Sequence, residues 1–132
     1  MKNVMLYAPP QYWRLSRKVR DKLLNGCGPA GMLNWLVPDT VYGLSIKAAC
    51  NIHDFMYMTG VTEEHRREAD RVFLNNMIRI IDAHTSNNVL KRLRYRRAKT
   101  YYAFVDNYGG PWFWKDKNPS ETMGMVLGLA PV

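Results

Sequence analysis

Two helix-period segments laid nearly end to end, from Thr62 to about Asp106, constrain the fold of this chain more than any other feature. Thr62 precedes Glu63 and Glu64, so it reads as an N-cap with two acids in the first turn, where the helix dipole favours negative charge. The helix it starts runs to about His84, and Phe73, Met77, Ile80, Ile81 and His84 recur at spacings of three and four as its buried stripe. Ser86 is placed to cap the next helix, from about Asn87 to Asp106, with Val89, Leu90, Leu93, Ala98, Tyr101, Tyr102 and Val105 on its apolar side. A shorter helix is predicted from about Leu44 to Met58, with Gly60 as its stop. A basic helix is predicted from Leu15 to Leu24, and "MLNWLVPDTVYG" reads as irregular or partly extended chain. The expected class is all-α, in a single domain spanning residues 1–132. The apolar share of 47% suits a packed core, and no apolar run reaches the roughly 20 residues that cross a bilayer.

The stretch "AACNIHDFMYMTG" gives the Leu44–Met58 helix its chemistry. Residues four apart share a helix face, so His53 and Tyr57 point the same way and Asp54 is turned about 100° from His53. If "TGVT" closes an antiparallel hairpin, His53 lies ~9 Å below the turn and Asp70 ~10 Å below it on the next helix. Asp70 also falls on the apolar stripe. A carboxylate there must find a partner, because burying it alone costs several kcal/mol, and His53 and Tyr57 are the candidates. The pattern predicts a histidine held in one tautomer by a buried aspartate, which is a general base.

Upstream, "NGCGPAG" (Asn25–Gly31) packs three glycines and a proline into seven residues. Such a loop can turn several carbonyls toward one point, and carbonyls with one carboxylate, here Asp54, make an oxygen cage suited to Ca²⁺. The two cysteines, Cys27 and Cys50, are too few for a disulfide-dense scaffold or a four-cysteine zinc site. They can form one bridge or stand as two buried thiols.

In order and spacing, "NGCGPAG…AACNIHDFMY…EADRVF" resembles the phospholipase A2 family, above all its small bacterial and fungal branch. The resemblance implies an antiparallel helix pair carrying a His-Asp site, preceded by a glycine-rich calcium loop. It implies Ca²⁺-dependent hydrolysis of the sn-2 ester of phospholipids, with His53 and Asp70 as the base pair and Tyr57 bonded to Asp70. It implies Asp54 as the calcium carboxylate, carbonyls of Gly26, Gly28 and Ala30 as further ligands, the Gly28 amide as an oxyanion donor, and a Cys27–Cys50 disulfide. It also implies a secreted or membrane-surface setting, although "MKNVMLYAPPQYW" lacks the apolar core of a secretory signal.

Charge points to the surface on which such a protein works. The chain carries a net charge of +8, concentrated in Arg14–Lys22 and in Lys91–Lys99, where six cations meet no acid. Density of this kind favours a polyanion: here an anionic phospholipid surface met by a monomer, with "PWFW" and its flanking Lys115 and Lys117 as an interfacial anchor. Three readings compete. A basic helical module that binds nucleic acid would use "KRLRYRRAKTYY", but leaves the glycine loop and Asp70 without a role. A non-catalytic membrane-binding protein would keep the same fold. A metal-dependent HD phosphohydrolase needs a histidine upstream of the HD pair, and the histidines here are His53, His65 and His84.

Overall fold

The computed structural model describes residues 4–18, 37–115 and 117 of the chain. Among the described residues there are five helices and one two-stranded ribbon. A short helix α1 (Pro10–Arg14) starts at a proline, whose fixed φ suits a first helical position. A two-stranded antiparallel ribbon, β1 (Thr40–Val41) and β2 (Leu44–Ser45), pairs Thr40 with Ser45 and Val41 with Leu44. Then come α2 (Lys47–Thr59), α3 (Glu63–His84) and α4 (Asn88–Tyr108), and a single turn α5 (Gly110–Phe113). The described part is mostly helical, and the ribbon is an addition to the all-α expectation.

Helix α3 is the centre of the molecule, packed against α2 on one side and α4 on the other. Its buried residues include Ala69, Val72, Phe73, Met77, Ile80 and Ile81, which meet Ala49, Cys50 and Ile52 of α2 and Ala98, Tyr101 and Val105 of α4. Thr62 caps α3 as expected, its Oγ1 accepting from the His65 amide at 3.0 Å. The connection from α2 to α3 is three residues long, Gly60 to Thr62, so the two helices fold back as a hairpin.

Several sequence expectations need correction. Helix α2 begins at Lys47 rather than Leu44, because Leu44 and Ser45 belong to the ribbon. The cap of α4 is Asn87, whose Oδ1 accepts from the Leu90 amide at 2.9 Å, and not Ser86. His84 is exposed at the end of α3. Val89 is 71% exposed and Leu93 37%, because the first turns of α4 run beyond the core. Within the "PWFW" stretch Phe113 is fully buried while Trp112 and Trp114 are half-buried; Trp114 Nε1 donates to Glu63 Oε2 at 3.2 Å, and Lys117 Nζ donates to the Tyr57 and Gly60 carbonyls at 2.5 and 2.7 Å. Most of the basic helix predicted at Leu15–Leu24, the glycine loop and the apolar tail "TMGMVLGLAPV" lie outside the described residues.

The ribbon turns at Tyr42 and Gly43, with φ of 45° and 78°. Two successive left-handed residues make the turn that matches strand twist in a two-residue hairpin, and Gly43 is suited to it. Tyr42 tolerates the strain because α4 holds it from outside. Arg94 Nη2 donates to the Tyr42 carbonyl at 2.9 Å, and the Arg97 guanidinium lies 4.7 Å over its ring. At the opposite edge of α3, Asn76 is fully buried and binds the extended N-terminal segment. Its Oδ1 accepts from the Tyr7 amide at 2.7 Å and its Nδ2 donates to the Tyr7 carbonyl at 2.8 Å.

Candidate active site

The α2–α3 hairpin brings His53, Tyr57 and Asp70 together at the depth expected from their distances to the turn. His53 Nε2 lies 2.8 Å from Asp70 Oδ1, and the Tyr57 hydroxyl donates to the same oxygen at 2.7 Å. All three side chains are fully buried. With Asp70 as a carboxylate, which only accepts, the proton between the two sits on Nε2 and leaves Nδ1 with its lone pair. That Nδ1 is buried and has no hydrogen-bond partner among the described residues. The imidazole packs against two tilted rings, Tyr57 at 4.2 Å and Phe73 at 4.7 Å between centroids. One tautomer and one ring orientation are thereby fixed, as a general base requires.

The tyrosine is part of the same balance. Burial first, and then the neighbouring Asp70 charge, push the Tyr57 phenol far above its ordinary range; the nearby Arg66 opposes that rise. Tyr57 is therefore a fixed hydrogen-bond donor at any ordinary pH. Its position depends on Gly109, which ends α4. A Cβ built there would stand 2.5 Å from the Tyr57 hydroxyl and 2.5 Å from the Val105 carbonyl oxygen. The backbone of Gly109 is ordinary right-handed helix, so glycine is present here for closeness and not for conformation. The Tyr57 ring also meets Phe113 edge-on at 5.3 Å.

The second carboxylate oxygen of Asp70 faces Arg66, whose Nη1 is 3.4 Å away. The same nitrogen reaches the carbonyls of Val105 at 3.4 Å and Asp106 at 3.3 Å, and Nε donates to Glu63 Oε1 at 2.8 Å. Arg66 was not among the residues the sequence singled out. Its relation to Asp70, one turn along the same helix, was readable; its contacts with α4 were not.

Asp54, next to His53, is 3% exposed. As a buried carboxylate beside the candidate base it has the donor chemistry that Ca²⁺ takes, and it would supply the side-chain charge of an oxygen cage. No group of three His, Cys, Asp or Glu side chains suited to a metal occurs among the described residues. The expected carbonyl ligands, Gly26, Gly28 and Ala30, lie outside the described residues, as does Cys27, the expected partner of the buried Cys50.

The sequence profile of a family described as "Protein of unknown function (DUF1353)" matches residues 30–103. That is more than half of the chain, and the chain belongs to this family. No curated protein and no solved structure matches. The resemblance to phospholipase A2 is thereby corrected: the family that matches is a different one. The matched region contains His53, Asp54, Tyr57, Arg66 and Asp70 and begins at Ala30, so it leaves out most of the glycine loop on which that resemblance leaned.

Proposed function

For this member of the DUF1353 family we propose hydrolysis of an acyl ester by a water that His53 activates, with phospholipid in an anionic surface as the substrate and Ca²⁺ as the cofactor. The observation that carries the reading is the His53 imidazole itself. It is bonded through Nε2 to a buried carboxylate at 2.8 Å, while Nδ1 is left with no partner among the described residues. A neutral imidazole whose N–H is committed to a carboxylate keeps the other nitrogen as an acceptor for a proton.

In this reading Nδ1 takes a proton from water as the oxygen attacks the ester carbonyl. Asp70 keeps its own charge and stabilises the imidazolium, and Tyr57 holds the carboxylate in place. The proton then passes from Nδ1 to the departing alkoxide. Neither a serine nor a cysteine nucleophile is needed. Asp54, with carbonyls of Gly26, Gly28 and Ala30, would hold Ca²⁺, and a Cys27–Cys50 bridge would fix that loop to α2. Bound there, Ca²⁺ would polarise the carbonyl and neutralise the substrate phosphate, and the Gly28 amide would donate to the oxyanion.

The surface partner has a structural candidate on α4. Arg92, Arg96 and Lys99 are exposed and share one face of the helix, whereas Arg94 and Arg97 are engaged by the ribbon. The sequence could not separate these two sets of cations.

The test is fatty-acid release from vesicles of an anionic phospholipid, with Ca²⁺ and with chelator. Release is expected only with Ca²⁺, and His53→Gln should abolish it while leaving Ca²⁺ binding intact; Asp54→Asn should abolish Ca²⁺ binding. Equal release in excess chelator would remove the metal from the scheme. Full activity in His53→Gln would overturn the reading.

A further inference from the structure

We propose that Arg66 is a positioning residue for the His53–Asp70 pair: its guanidinium fixes the free oxygen of Asp70 and ties the pair to the end of α4. The inference rests on the reading of His53 as a base.

The geometry has three parts. Asp70 presents Oδ1 to two donors, His53 and Tyr57, and Oδ2 to one, Arg66. A carboxylate held by one oxygen alone can swing about its Cβ–Cγ bond, and a swing would carry Oδ1 away from Nε2. Arg66 prevents it from the opposite side. It also supplies the positive charge that a fully buried carboxylate next to a neutral imidazole otherwise lacks. Second, Arg66 is itself immobilised. It is 6% exposed, Glu63 holds Nε from the first turn of α3, and the carbonyls of Val105 and Asp106 hold Nη1 from α4. Those carbonyls belong to the last turn of α4, where a cation is favoured, and Val105 also accepts from the Gly109 amide at 2.8 Å. Third, lysine cannot replace it. An ammonium has the charge but not the planar fork that reaches a helix end, a carboxylate and a glutamate together. The titratable and charged groups around this point are His53 and Tyr57 from α2, Glu63, Arg67 and Asp70 from α3, and Asp106 from α4; Arg67 lies 4.0 Å from Asp106.

Two measurements on Arg66→Met and Arg66→Lys decide the matter. The first needs no substrate: the proton shared by His53 Nε2 and Asp70 should give a low-field imidazole N–H resonance, assigned by its loss in Asp70→Asn. In Arg66→Met it should broaden or vanish, and in Arg66→Lys it should persist but move. The second is steady-state kinetics on the vesicle substrate. Arg66→Met should lower kcat about 10²-fold, the scale of an ångström-level misplacement, and leave KM within about twofold. Arg66→Lys should recover part of that loss. A folded Arg66→Met with an unchanged resonance overturns the inference. So does Arg66→Lys, should the methionine variant not fold, if both its resonance and its kcat equal those of the wild type. If the wild type releases no fatty acid, the proposed reaction fails, and the resonance still decides whether Arg66 positions the pair.

Discussion

Raising the pH should remove stability from this protein through one phenol. Tyr57 is fully buried and donates to Asp70 at 2.7 Å, and burial and that charge hold its pKa far above the ordinary value. In the unfolded chain the phenol titrates at about 10. Below that pH both states are protonated and the contribution of Tyr57 is complete. Above it the unfolded state loses the proton and the folded state keeps it, so stability falls as pH rises. One group changes the slope by up to about 1.4 kcal/mol per pH unit, and integrating from neutral pH to 11.5 gives a loss of about 2 kcal/mol from Tyr57 alone. The chain has eight tyrosines, so the measurement must isolate this one. Urea denaturation of the wild type and Tyr57→Phe, at intervals from pH 8 to 11.5, does so. At pH 8 the variant should be less stable by about 1.5–3 kcal/mol, the usual size of a hydrogen bond to a charged group. By pH 11.5 the gap should have narrowed by about 2 kcal/mol. A gap that stays constant over that range would show that Tyr57 is not held protonated against Asp70, and would refute the picture of a sealed carboxylate.

Gly109→Ala should destabilise the protein by about 1–3 kcal/mol through overpacking against the Tyr57 hydroxyl and the Val105 carbonyl, although the same change at an open helical site gains about 0.4–1 kcal/mol. A urea midpoint equal to or above that of the wild type would contradict the close approach. Replacing Arg92, Arg96 and Lys99 together with glutamine should weaken binding to anionic vesicles by about 1 kcal/mol per cation without changing the fold. Sedimentation with vesicles measures it; undiminished binding would remove α4 from the interface, and tight duplex binding without vesicle binding would favour a nucleic-acid partner.

The parts of this structure that were legible in the sequence are those decided within one or two helical turns. Thr62 with two following acids marks the start of α3 on any reading. Asp70 declared itself by sitting on an apolar stripe, and counting the rise from the turn set it level with His53. What the sequence hid was decided by contacts far along the chain. Arg66 looks like any helical arginine until α4 returns to offer it two carbonyls from nearly forty positions away. The ribbon is four residues long, too short for an alternating pattern, and exists because Arg94 and Arg97 secure a left-handed Tyr42. Val89 and Leu93 carry the apolar period of α4 correctly, but period alone does not say where the neighbouring helix ends. In the site, Gly109 gave no signal at all, since a glycine after a helix is explained well enough as a stop.

The grip of Asn76 on Tyr7 turns the first described segment into a peptide ligand that never leaves its receptor. A primary amide can both give to and take from the backbone of a single residue, so the receptor reads main chain and is indifferent to what residue 7 carries. Aspartate there could not donate, and leucine could do neither. Any cut between Tyr7 and α1 would convert the tethered ligand into a free one, competing at its own concentration instead of the high local concentration a short connection provides. It would also leave a buried polar amide without that partner on the helix that carries Asp70, six residues from the site.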